Sequence, residues 1–267
     1  MGETGFRRED EMRLAKLVCV LAALTLAGVA AARIAPEEIA ALYLFEEGSG
    51  ETVKDSSQNG NDGKINGDVK WVDGKYGGGL QFPGQQGSYV EVPDSESLNP
   101  TKQITVAAWV YFEDVKGGNR RILQKSTPGS DNQYRLLLEW GALKFDAGPG
   151  VAPKEITTQL PPEKEWHHIA GVYDGSRLVI YIDGEEKASM KASGEMTPTT
   201  GPLFIGTKHP GAPNGDHMMG VLDEVIILNR GITQDEVKEL MEGADKLLTP
   251  VDPRGKMAAV WAEMKSR

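Results

Sequence analysis

The chain has 267 residues, 39% hydrophobic and 25% charged, with 32 glycines, 15 prolines and a formal net charge of −10. An acidic chain without a basic cluster excludes nucleic acid and anionic membranes as natural partners. Abundant glycine among β-branched and aromatic segments points to an all-β protein rich in turns, at a length that β-sandwiches reach as one domain.

Residues 13–32 read as a secretory signal. Arg13 and Lys16 precede the apolar run 17–29, and Ala30-Ala31-Ala32 offers a small-residue cleavage site after Ala32. Met12 is then the more usual start, and residues 1–11 an extension. The alternative is an uncleaved anchor, against which the apolar run falls short of the ~20 residues a span needs. The only cysteine, Cys19, lies in this segment. The mature chain is therefore exported yet without disulfides, and relies on a large core, with or without a metal. That points to a bacterial envelope or secreted protein. Cleavage removes four basic residues (Arg7, Arg8, Arg13, Lys16) and four acidic ones (Glu3, Glu9, Asp10, Glu11), so the charge stays −10.

The first strand is expected at 42–45 (LYLF), stopped by Gly48 and Gly50. Asp55, Ser56, Ser57, Gln58, Asn59, Asn61 and Asp62 follow, with Gly60 and Gly63 between them. Such a run makes tight turns, because Asx side chains bond the local backbone. It also offers hard oxygen ligands to calcium. Strands follow at 88–92, at 104–112 (apolar on both faces, hence central in its sheet) and at 121–125. A hairpin is expected at 134–140 and 143–145 about Gly141-Ala142. Further strands are 156–160, 166–173 and 178–182, the last two closed by Asp-Gly pairs, then 203–206 and 218–228. Thr233 to Glu236 forms a capping box. Val237, Leu240, Met241, Ala244, Leu247 and Leu248 then fit an amphipathic helix, expected at an edge or end of the sandwich. The tail from 256 to 265 fits a second short helix that docks a partner or folds back on its own domain. Residues 33–242 are thus the sandwich domain and 243–267 a helical tail.

LYLFEEGSGETVKDSSQNGNDG (42–63), GGGLQFPGQQGSYVEVP (77–93), ITVAAWVYF (104–112), WHHIAGVYDGSRLVIYIDGE (166–185) and GVLDEVIILNRGITQDEV (220–237) together resemble the laminin G-like, concanavalin A-type jelly-roll domains of bacteria. The resemblance implies a two-sheet antiparallel β-sandwich with a C-terminal helix. It also implies a domain often stabilised by calcium, which frequently binds glycans or serves as an extracellular recognition module. It names no ligand.

Asp55, Asn59 and Asp62 are candidate calcium ligands. Asp223 is a fourth, because it and Glu224 interrupt an apolar strand, and a buried carboxylate needs a cation or good hydrogen bonds. The expectation is that Asp223 meets the 55–62 loop across the ion; the alternative is that these residues only shape turns and bond amides. Among the aromatics Trp71, Trp109, Trp140, Trp166, Tyr89, Tyr111, Tyr134 and Tyr181, the pair Trp109 and Tyr111 shares one strand face and is the candidate for stacking on sugar rings. The loop 207–219 is another candidate rim. His167 and His168 point to opposite faces and read as structural. No strand carries the spaced carboxylates of a glucanase, and no GxSxG elbow or Walker loop occurs. The expected function is non-catalytic recognition of an extracellular glycan or cell-surface protein, with structural calcium, from a secreted or envelope location and without a membrane in the mature form. An adhesion protein without a sugar ligand and a glycoside hydrolase of the same fold are the alternatives.

Overall fold

The computed structural model describes residues 34–116, 118–127, 132–211 and 216–248. The expected signal segment with Cys19 and its cleavage site, and the tail 254–267, lie outside the described residues.

The first strands are β1 (Ile39–Tyr43), β2 (Thr52–Val53), β3 (Gly63–Asn66), β4 (Lys70–Asp73), β5 (Gly78–Pro83) and β6 (Tyr89–Val92). Next come β7 (Ile104–Phe112), β8 (Arg120–Ser126), β9 (Asn132–Glu139), β10 (Ala142–Asp146), β11 (Val151–Ala152) and β12 (Glu155–Gln159). The last are β13 (Trp166–Tyr173), β14 (Arg177–Ile182), β15 (Glu185–Lys191), β16 (Ser193–Gly194), β17 (Leu203–Ile205) and β18 (Met219–Leu228), before the helix α1 (Gln234–Leu240). Sixteen of the strands form two antiparallel sheets, and β11 pairs with β16 as a separate two-stranded ribbon. The first runs β15-β14-β13-β7-β18-β5-β4, with β1 also on β18; the second runs β12-β10-β9-β8-β17-β6-β3-β2. The fold is the expected sandwich.

Alternation decides where each face goes. From β7, Ile104, Val106, Ala108, Val110 and Phe112 face the space between the sheets, where they meet Leu136, Leu138, Leu143 and Phe145 of the second sheet. The other face of the first sheet is also apolar: Ala107, Ala170, Val172, Tyr181 and Ile226 pack against Val237 and Leu240 of α1 and against Ala244 and Leu247. This corrects the expected position of the helix. It covers a sheet face, because an apolar face left in water must be buried by another layer. The same cover explains why the β7 sequence is apolar on both sides.

The capping box forms as expected, with Thr233 accepting from the Glu236 amide and the Glu236 carboxylate returning to the Thr233 amide. The α-helix is shorter than its pattern, because Gly243 takes φ +116° and residues Ala244–Leu248 continue as a 3-10 turn. Other boundaries moved as well. The first strand begins at Ile39 rather than 42. The β9–β10 turn is Trp140-Gly141 rather than Gly141-Ala142, since Glu139 pairs with Ala142. β15 (EEKASMK) escaped notice because it is an exposed edge strand whose charges protect it from mispairing.

Candidate functional site

The Asx-rich loop closes the free edge of β1. One carboxylate does most of this. Asp55 accepts from the amides of Leu42 (3.0 Å), Ser57 (2.9 Å) and Asn61 (2.8 Å), and from the Ser57 hydroxyl (2.8 Å). Asn59 donates its side-chain amide to the carbonyls of Ile39 (2.8 Å) and Ala40 (3.1 Å). Asp62 accepts from the Asp55 amide at 3.0 Å and from the Lys54 ammonium. The structure thus brings Asp55, Asn59 and Asp62 together, as one self-satisfied turn. The carboxylate oxygens of Asp55 and Asp62 already hold donors, so this turn is satisfied without an ion.

Asp223 stands elsewhere. Along one side of β18, β5 pairs as far as Leu222 and β1 takes over at Val225. Between them the ladder to β7 bulges, and Glu224 adopts φ +46°. The bulge breaks alternation, so Asp223 and Glu224 are both buried, at 0% and 5% exposure. Asp223 accepts from the amides of Tyr76 (2.9 Å) and Glu224 (2.7 Å), and shares no hydrogen-bond partner with Asp55. Glu224 accepts from the Ala244 amide at 2.9 Å through Oε1, while its Oε2 is buried without a partner. Glu46, just past β1, accepts from the Gly78 amide at 3.1 Å. The run 74–79 needs its glycines for this approach. A Cβ on Gly74 would lie 2.7 Å from Asp223 Oδ2, and one on Gly77 would lie 2.1 Å from Glu46 Oε1. Burial pushes the Asp223 carboxyl up to about 7, with the charge of Glu46 adding to it and backbone amides opposing. Glu224 is likewise pushed up to about 7 by burial, with Asp223, Asp245 and Glu46 adding. Sequence reading missed Glu46; its only signal was an acid directly after the first strand. Among the described residues no three His, Cys, Asp or Glu side chains form a metal-holding group. A cation at this acidic end would need backbone carbonyls as well.

The aromatic pair needs correction. Trp109 is only 5% exposed. Tyr76 (6.1 Å between centroids) and His168 (5.4 Å) meet it edge-on, and Lys75 Nζ sits 4.4 Å from its ring centre. Tyr111 is half-buried against Trp166, at 5.8 Å. The strand face they share is covered at Trp109 and partly covered at Tyr111. The most exposed aromatic among the described residues is Trp140, 88% exposed at the β9–β10 turn. Its φ is +55° and that of Gly141 is +77°, the primed hairpin geometry that Asn-Gly usually fills.

Beside Trp140, on the side of β8, β9 and β10 away from the core, lies a polar network whose side chains are mostly buried, Arg121 at 1%, Asp216 at 8% and Lys144 at 9% exposure. Arg121 Nη2 donates to Glu139 Oε1 (2.9 Å) and Asp216 Oδ1 (3.0 Å); its Nε and Nη1 are buried without partners. Asn119 donates to Asp216 at 3.0 Å and accepts from the Trp140 amide at 3.4 Å. Lys144 bridges Glu139 (3.0 Å) and Glu155 (3.3 Å), and Arg135 pairs with Asp146 (3.0 Å). Burial works to raise the Glu139 carboxyl, but the Lys144 hydrogen bond and the Arg121 charge outweigh it and hold the group below the usual range. These side chains are fixed by one another before any ligand arrives. Part of the 207–219 rim, 212–215, lies outside the described residues.

A family described as the concanavalin A-like lectin/glucanases superfamily matches residues 83–238, more than half of the chain. No curated protein matches. Among solved structures, the fourth domain of AbnA, an extracellular GH43 arabinanase from Geobacillus stearothermophilus, seen with arabinotriose, matches at 22% identity and TM-score 0.61, over 76% of this chain and 98% of that one. The binding domain of Paraclostridial Mosquitocidal Protein 1 matches at 18% and 0.60, over 77% of this chain and 52% of that one. The receptor-binding domain of a botulinum neurotoxin C/D mosaic serotype matches at 13% and 0.60, over 78% and 52%. The chain thus spans about half the length of these toxin domains.

Proposed function

This chain belongs to the concanavalin A-like lectin/glucanase superfamily, and we propose that it is a non-catalytic recognition module for an extracellular glycan. The carrying observation is Trp140, almost fully exposed beside a preorganised, largely buried polar network. A flat aromatic beside fixed planar donors and acceptors suits a sugar ring, whose C–H face stacks and whose hydroxyls bond. The arabinanase domain seen with arabinotriose lends support at the level of fold. The acidic pair Asp223-Glu224 holds backbone amides, a structural use of carboxylates rather than the flanking of a glycosidic bond.

The proposal keeps calcium as a structural support, moved from the Asx loop to Asp223 with Glu46 and Glu224. Its support is the buried Glu224 Oε2 without a donor and the charge of Glu46 acting on both Asp223 and Glu224; the three carboxylates do not by themselves make a metal-holding group, so backbone carbonyls would have to complete the site. Export after cleavage at Ala32 completes the reading; among the described residues no helix is long and apolar enough to cross a membrane.

The test is titration calorimetry with arabino-oligosaccharides and a wider glycan array, on wild type and Trp140→Ala. Saturable binding by wild type that falls at least tenfold in the variant is expected. No binding to any glycan by wild type rejects the reading and favours a protein-binding surface.

A further inference from the structure

Every basic side chain of β8, β9 and β10 is already in an ion pair. Arg120 holds Asp114 (2.9 Å) and Lys125 holds Asp94 (2.6 Å). In the network beside Trp140, Arg121 holds Glu139 (2.9 Å) and Asp216 (3.0 Å), and Lys144 holds Glu139 (3.0 Å) and Glu155 (3.3 Å). Arg135 holds Asp146 (3.0 Å), with Glu155 a further 3.7 Å away. Arg121, Arg135 and Lys144 thus face Glu139, Asp146, Glu155 and Asp216, three cations against four carboxylates.

The cations are also the hidden partners. The side chains of Arg121, Lys144 and Arg135 are 2%, 11% and 15% exposed, whereas that of Glu155 is 41% exposed. Arg121 keeps two N–H groups without partners, at Nε and Nη1, but both are buried, so a ligand anion meets neither without opening the pairs. What the network shows to water is chiefly carboxylate oxygen, which accepts hydrogen bonds and does not donate them.

A carboxylate or sulfate brought against this surface loses hydration, and that loss is offset only by a cation free to answer it. The net charge of −10 adds repulsion at longer range. A sugar hydroxyl meets neither obstacle, since it carries no charge and donates to an acid oxygen.

We infer that the glycan recognised at Trp140 is uncharged, a neutral oligosaccharide, and that the paired, acid-rich network beside the indole excludes uronic, sialylated and sulfated glycans. This rests on the glycan reading of Trp140 and adds the charge class of the ligand. The indole stacks on the C–H face of a neutral ring, and Glu139 and Glu155 accept from its hydroxyls. The competing arrangement is an anionic glycan that displaces Glu155 from Lys144 and Arg135, its two longest pairs.

The experiment is calorimetry on the full chain. The neutral probes are arabino-oligosaccharides and gluco-oligosaccharides; the anionic probes are oligogalacturonates, sialyllactose and sulfated galacto-oligosaccharides. Each is measured at about 0.01 M and about 1 M salt, where charges are screened over ~30 Å and ~3 Å. Expected is saturable binding of a neutral probe, changed less than twofold by salt and weakened at least tenfold in Trp140→Ala. Every anionic probe should bind at least tenfold more weakly than the best neutral one at low salt. Glu155→Gln, which removes the exposed acid, should raise oligogalacturonate affinity at least threefold at low salt. An anionic probe that binds wild type as tightly as the best neutral one, and weakens at high salt, overturns the inference and leaves glycan recognition standing. Neutral binding that persists in Trp140→Ala, or no gain in Glu155→Gln, also overturns it. Absence of binding to every probe overturns this inference and the glycan reading together.

Discussion

The Asp223 carboxylate accepts the backbone N–H of Tyr76 at 2.9 Å, across 147 positions of chain. This bond ties the glycine-rich turn before β5 to the bulge where β18 changes partners. The turn in turn places Lys75 and Tyr76 over Trp109.

Asp223→Ala leaves the amides of Tyr76 and Glu224 without acceptors, at a cost of about 2–3 kcal/mol. Denaturant unfolding should show a lower midpoint with an unchanged m-value. A variant as stable as wild type would mean that these amides find water.

Calcium at Asp223 makes a separate prediction. Adding millimolar calcium to EDTA-treated protein should raise the Tm of wild type and leave Asp223→Asn unmoved, while Asp55→Asn keeps its response. A calcium response that disappears with Asp55 rather than Asp223 would return the ion to the first loop.

Trp109 and Trp140 should separate stability from recognition. Trp109→Ala empties a buried site and costs about 3–5 kcal/mol. Trp140→Asn relieves a bulky residue of left-handed backbone that costs an L-residue about 1–2 kcal/mol, and restores the favoured Asn-Gly turn. Its Tm should rise while glycan affinity falls. Loss of stability in Trp140→Asn would show that the indole packs on its own domain.

His168 sets an acid limit. Burial lowers its pKa to about 4, against an opposing contribution from Asp183. A histidine that resists protonation in the fold contributes stability present above its unfolded value of about 6.5, lost as pH falls toward its folded value. Unfolding free energy should therefore drop between pH 6.5 and 4, by up to about 3 kcal/mol, and His168→Gln should flatten that decline. An equal slope in the variant would assign the loss to other groups.

Much of the sandwich was readable because its signals are local. Apolar, β-branched and aromatic runs marked β7, β13 and β14, and the Asp-Gly pair at 183–184 marked the end of β14, where a primed turn leads into β15. The Thr233–Glu236 box needed only four residues of context. Boundaries slipped where local signals were ambiguous, as at Trp140, a residue rarely found at positive φ.

The sequence by itself determined the class of fold, the strand faces and the helix start, since backbone preference and side-chain period act over a few residues. Only the tertiary structure decided which faces meet water. It buried Trp109 beneath the 75–76 turn and left Trp140 in the open. It kept Asp55 within its own loop and gathered Glu46, Asp223 and Glu224 from the two ends of the chain. Exposure and charge clustering are sums over neighbours distant in sequence, and strand order alone supplies those neighbours.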